Sequence, residues 1–234
     1  MRLTASAAAA LFLAGCASFS PDGGFDRVAE LTKDRTGQAP QYQRDVAGGE
    51  SAQGRVTELL GRPLTAESTV EIAFLNNRGL QASFAELGIA ESELVRAGRL
   101  RNPSFGFGRM REGGGVVGVE RSGMFDVLGL LTMPVTRQVE QRRFEQAQLQ
   151  AAYDAVGLAA EVRRAYFGTV AAEELVRYFR QVKDAADASN DLAKRMVQAG
   201  NFSKLAQMRE QAYYSDATLQ LARAQHQLVA EREN

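Results

Sequence analysis

Tryptophan is absent from the chain, and cysteine and histidine occur once each. The lone Cys16 allows no internal disulfide framework. The lone His226, without a second Cys, leaves no zinc site of the usual four-ligand kind. Net charge is also missing, because 28 basic side chains balance 28 acidic ones. Nucleic-acid binders normally carry a basic excess, so this balance argues against that class. A Ser-His-Asp arrangement would have to use His226, and no partner residues lie near it in the sequence. The chain is therefore expected to be no enzyme and to hold no cofactor and no metal. What remains is an ordinary apolar fraction of 45%, which argues against wholesale disorder.

Proline is missing from one long stretch. Between Pro134 and Ala199 there is no further Pro, and Gly157 and Gly168 are the only glycines. Alternating steps of 4 and 3 from Ala151 give Ala151, Ala155, Leu158, Val162, Ala165, Thr169, Ala172, Val176, Phe179, Lys183, Ala186, Asn190, Ala193 and Val197. Eleven of these fourteen are apolar. The seam repeats every 3.5 residues, the coiled-coil period. One helix over 135–199 is expected, with a reach of roughly 95 Å. Gly200 suits the left-handed position that ends a helix, and Ser203 suits the N-cap of the next. From Leu205 the same step runs through Met208, Ala212, Ser215, Leu219, Ala222, His226 and Val229. A returning helix over 204–234 is expected to pack antiparallel on the first through that seam.

The amino terminus has the layout of a secretory signal over 1–15. Arg2 precedes a short apolar run that ends in small residues and is too brief to span a bilayer. Leu13-Ala14-Gly15-Cys16 resembles the lipobox of bacterial lipoproteins. That resemblance implies removal of 1–15 and acylation of Cys16, including palmitate, and several acyl chains make a stable anchor. Residues 16–64 read as a tether, mostly extended or loop, with a short helix over Phe25–Thr32 and one or two helical turns over Arg55–Leu60.

Thr65 is a good N-cap for a helix over 65–100, and Asn102-Pro103 stops it. The period then changes to two. Phe105 and Phe107 alternate with Gly106 and Gly108, and Glu112-Gly113-Gly114-Gly115 forms a flexible turn. Strands are expected at about 103–111 and 116–132, long enough for a tilted membrane strand of about 9–11 residues. In that setting Phe105 and Phe107 face lipid, Gly106 and Gly108 face inward, and Arg109 and Arg111 sit at the aqueous rim. A soluble hairpin packed on a helix fits the same pattern.

The order anchor, tether, helix, strand pair, long helix, turn, returning helix resembles the TolC-type outer membrane factors. The closest likeness is to their lipoprotein branch in drug and heavy-metal efflux. The local phrases are Leu64-Thr65-Ala66, Ala73-Phe74-Leu75-Asn76-Asn77, Leu80-Gln81-Ala82, Gly98 through Pro103, Glu140 through Glu145, and Ala199 through Ser203. The resemblance implies a mainly α fold: a long antiparallel coiled-coil hairpin plus a β-hairpin contributing to a trimeric outer-membrane β-barrel. It implies a passive export duct for drugs or metal ions in a Gram-negative outer membrane, extending into the periplasm. The implied partners are two further copies, a periplasmic membrane-fusion adaptor, an inner-membrane pump and outer-membrane lipid, with no nucleic acid. Gly200, Asn201 and Ser203 would meet the adaptor at the tip. The family carries this unit twice and this sequence once, so the first of two repeats is expected. The alternative left open is a periplasmic coiled-coil lipoprotein that acts as a spacer or adaptor-binding protein and transports nothing.

Overall fold

The structure, a computed structural model, describes residues 18–111 and 117–233; the signal segment and Cys16 lie outside the described residues. Six helices and two strands follow in chain order among the described residues: α1 (Phe25–Thr36), α2 (Val46–Leu60), α3 (Ala66–Asn76), α4 (Arg78–Ala97), β1 (Ser104–Arg111), β2 (Val117–Met124), α5 (Val127–Gln198) and α6 (Lys204–Glu233). The fold is mainly helical, with a small antiparallel sheet of two strands and one helix of 72 residues. Two compact units divide the chain: Met1–Val56 with Phe74–Gly157, and Thr57–Ala73 with Leu158–Asn234.

The segment expected to be a tether contributes Val28, Ala52 and Val56 to the core of the first unit. Two helices stand where mostly loop was expected. The glycines read as breakers fall at a helix end and inside a helix. Gly37 caps α1 in the left-handed region at φ 80°, its N–H donating to the Lys33 carbonyl at 2.8 Å. Gly48 and Gly49 lie within α2, where Asp45 accepts from the Gly48 N–H at 2.7 Å. Burial of Ala52 and Val56 outweighs the low propensity of those glycines. Val28, Phe84, Leu87, Val95 and Phe144 fill the interior. Phe25, Tyr42 and Phe84 form a ring cluster with centroids 4.9–5.9 Å apart. Ser20 donates through both its backbone N–H and its hydroxyl to the buried Glu91, at 2.6 and 2.5 Å.

The helix expected over 65–100 is two helices. Asn77 leaves helical geometry at φ −77° and ψ 108°, and its side chain accepts from the Leu80 N–H. Such a break strands carbonyls at the end of α3. Gln81 donates to the Phe74 carbonyl at 3.3 Å and Gln43 to that of Leu75 at 2.5 Å, which restores their pairing. At the start of α3 the expected Thr65 cap is present. Thr65 Oγ1 accepts from the Ser68 N–H at 3.1 Å, and Ser68 Oγ accepts from the Thr65 N–H at 2.8 Å, a reciprocal capping box.

In the second unit, residues 158–198 of α5 run antiparallel to α6. Ser189 donates to Glu210 at 2.7 Å, Thr169 Oγ1 to the Glu231 carbonyl at 3.1 Å, and Arg232 to Glu173 at 2.7 Å. Every one of the fourteen seam residues of α5 is buried or half-buried along its length. The expected seam of α6 has the right period and the wrong phase. Leu205, Met208, Ala212, Ser215, Leu219, Ala222, His226 and Val229 are all exposed. The packed face is Glu210, Tyr214, Ala217, Leu221, Ala224, Leu228 and Glu231, again in steps of 4 and 3. The helix therefore carries two stripes. The one with small residues at Ala217 and Ala224 lies inward, where small side chains allow close approach of the helices, and the bulkier stripe points out.

Candidate functional site

A β-hairpin and a helical turn were singled out by the sequence, and each is described within its own unit.

The hairpin pairs β1 with β2 in the register Phe105↔Gly123, Phe107↔Arg121 and Arg109↔Val119, with Gly106↔Ser122, Gly108↔Glu120 and Met110↔Gly118 between them. Strand alternation puts Phe105, Phe107, Arg109, Val119 and Arg121 on one face. Gly106, Gly108, Ser122 and Glu120 share the other with Met110 and Met124. Phe105 and Phe107 are each 73% exposed, so most of the aromatic face is open. Phe105 stacks edge-on against Phe125 at 5.7 Å. A Cβ on Gly106 would lie 2.4 Å from Ser122 Oγ, so a larger residue there would have to turn the Ser122 hydroxyl aside.

Two expectations change here. The second strand ends at Met124 rather than near residue 132, and the long helix begins at Val127 with Pro134 inside it. Asp126 is the cause: its carboxylate accepts from the Gly129 N–H at 2.7 Å and opens the helix. That N-cap was legible as Asp three residues before Gly, and the apolar run Leu128–Met133 masked it. Each strand then has eight residues, about 27 Å of length and about 19 Å of depth at a 45° tilt. Arg109 shares the face of the two phenylalanines and lies near the loop end of β1. The newly helical turns add to the apolar surface: Phe125, Val127, Leu128 and Leu131 are between 64% and 72% exposed.

The turn between α5 and α6 is closed by backbone geometry. Gly200 sits at φ 77°, the Asn201 N–H donates to the Met196 carbonyl at 2.9 Å, and the Gly200 N–H donates to that of Val197 at 3.0 Å. These two bonds form a Schellman motif, which a left-handed residue such as Gly makes possible. Ser203 then caps α6, its Oγ accepting from the Ala206 N–H at 3.1 Å. The conformations expected of Gly200 and Ser203 are present, and folding alone accounts for both residue types. Asn201 is exposed and its side chain has no such task, which makes it the residue of the three most free to recognise a partner.

Few titrating groups are perturbed. Lys183 donates to Asp187 at 3.2 Å, and that hydrogen bond raises its pKa above the ordinary lysine range. In the first unit Asp22 accepts from the Asp26 N–H at 3.0 Å, which lowers its pKa. His226 is exposed, not buried on a seam. Among the described residues no group of three or more His, Cys, Asp or Glu could hold a metal ion, and no helix is long and apolar enough to cross a membrane.

No family model, curated protein or solved structure matches the chain.

Proposed function

We propose that this chain is a wall element of an outer-membrane channel, the passive exit duct of a tripartite efflux pump, built from several copies into a TolC-like barrel. The observation that carries the reading is the β-hairpin with an exposed aromatic face, leading directly into a helix of 72 residues with a 3.5-residue seam. The exposed second stripe of α6 supports it, since apolar residues at heptad spacing in water are a surface for another helix. In this reading Cys16 is acylated, Phe105 and Phe107 meet lipid, and the turn at Gly200, Asn201 and Ser203 meets a periplasmic adaptor. The duct does no chemistry; an inner-membrane pump supplies the energy, and the cargo is a drug or a metal ion. The test is gel electrophoresis of outer-membrane fractions without heating. A heat-sensitive oligomer band supports the reading, and a soluble periplasmic monomer contradicts it.

A second reading, a lipid-anchored coiled-coil spacer, is favoured by one feature. Arg121 lies on the aromatic face opposite Phe107, where lipid contact would cost about 2–4 kcal/mol at the bilayer midplane. Under that reading Phe105→Asp with Phe107→Asp leaves membrane association and drug or metal resistance unchanged.

A further inference from the structure

The hairpin sorts its charges by face. Arg109 and Arg121 stand on the face of Phe105 and Phe107, whereas Glu120 stands on the other. Both arginines are exposed, and among the described residues neither guanidinium pairs with a carboxylate. Arg109 lies opposite Val119 and Arg121 opposite Phe107, so the two arginines are diagonal neighbours across the strands. Such neighbours are roughly 7–8 Å apart, within reach of two long side chains that meet over the sheet. Two like charges so placed repel each other unless an anion lies between them. The apolar part of the face is open as well, with Val119 52% exposed beside the two phenylalanines. Arg109 lies nearer the turn than Arg121, Arg121 is level with Phe107, and Phe105 is farther from the turn, against Phe125.

We infer that Arg109 and Arg121 together take the headgroup phosphate of an anionic phospholipid, whose acyl chains run over Phe107, Phe105 and Phe125. The inference deepens the membrane reading of the hairpin and rests on it. Charge complementarity selects the ligand. Among its described residues this face carries two cations and no acid, so a headgroup of net negative charge is held in preference to a zwitterion. Guanidinium groups suit phosphate oxygens through paired N–H donors. The spacing suits a bilayer surface. Phe105 is four residues from Arg109, about 14 Å of strand and about 10 Å of depth at a 45° tilt. With Arg109 at the level of the phosphates, both rings reach the acyl region. Arg121 lays its apolar stem along Phe107 and brings its guanidinium up to the same level. The cost of an arginine among lipids falls steeply from the midplane to the interface, so Arg121 at this depth is compatible with lipid contact.

The full chain in non-ionic detergent is mixed with micelles containing phosphatidylglycerol or phosphatidylcholine, and retained lipid is counted by native mass spectrometry. Each arginine is expected to favour phosphatidylglycerol about fivefold, so the native chain retains it about 25-fold over phosphatidylcholine. Arg109→Gln or Arg121→Gln lowers that ratio about fivefold, and the two together abolish it. Glu120→Gln shifts the net charge by the same amount on the opposite face and leaves the ratio unchanged, which separates this face from net charge. Phe105→Ser with Phe107→Ser lowers retention of both lipids alike. Equal retention of the two lipids by the native chain, or an unchanged ratio in the double arginine variant, overturns the inference. So does a double arginine variant that loses association of copies while its ratio stands. Unheated gels of the same samples keep the two readings apart. An oligomer band without lipid preference fails this inference alone, and a preference without an oligomer band fails the channel reading alone.

Discussion

Gly24 and Gly200 hold nearly the same backbone angle, φ 76° and 77°, and differ in what surrounds them. A Cβ on Gly24 would lie 2.3 Å from Phe144 Cζ, whereas nothing lies within 4 Å of one on Gly200. Gly200→Ala should cost only the backbone penalty, about 1–2 kcal/mol. Gly24→Ala adds displacement of a buried ring and should cost more; urea unfolding of the two variants checks the order. Asn190 presents the opposite situation: it is buried on the α5 seam, and its Oδ1 has no hydrogen-bond partner. Leaving such a group unpaired costs about 1–3 kcal/mol. Asn190→Leu should therefore raise the melting temperature, at some loss of the register that a polar seam residue can enforce. Asp22 gives a pH dependence with a fixed sign. Its folded pKa lies below the ordinary value of about 3.9. Its contribution is thus fully present above that value and lost as pH falls through the folded pKa. Asp22→Asn should lower stability slightly in the neutral range and flatten the acid limb of a stability–pH curve below about pH 4.

At the scale of elements, what was legible depended on whether one local signal stood alone. The α5 seam was legible because its 3.5-residue period runs uninterrupted over fourteen positions, all of which are buried or half-buried. The turn was legible because Gly200 and Ser203 each have a single conformational use there. The phase of α6 was not legible, since two stripes of the same period compete and the apolar content of the outer one is the more conspicuous. Tertiary fit chose Ala217 and Ala224, information that lies on the partner helix. The helices α1 and α2 were expected over Phe25–Thr32 and Arg55–Leu60 and are longer, because Gly48 and Gly49 look like breakers until the burial of Ala52 and Val56 is known. The two stripes of α6 can be separated experimentally. Ala217→Asp buries a charge and should unfold the helical hairpin, with a large loss of helical signal by circular dichroism. Leu219→Asp lies on the exposed stripe. It should leave that signal intact and abolish association of copies by analytical ultracentrifugation; unchanged association would assign the stripe no partner.

For the whole molecule, the proposed role requires one face of the hairpin to be in lipid and the other in water. Phe107 and Glu120 lie on opposite faces of that hairpin, and the chain has one cysteine elsewhere, at Cys16. If Cys16 is acylated as its lipobox-like setting implies, it is silent to thiol reagents. A cysteine can then be placed at either position in intact cells and challenged with a membrane-impermeant maleimide and with a lipid-soluble one. The membrane-wall account predicts that Phe107→Cys reacts with the lipid-soluble reagent and resists the impermeant one, while Glu120→Cys reacts with the impermeant one. Once the outer membrane has been permeabilised, equal labelling of both positions by the impermeant reagent would contradict it and leave the chain as a lipid-anchored spacer.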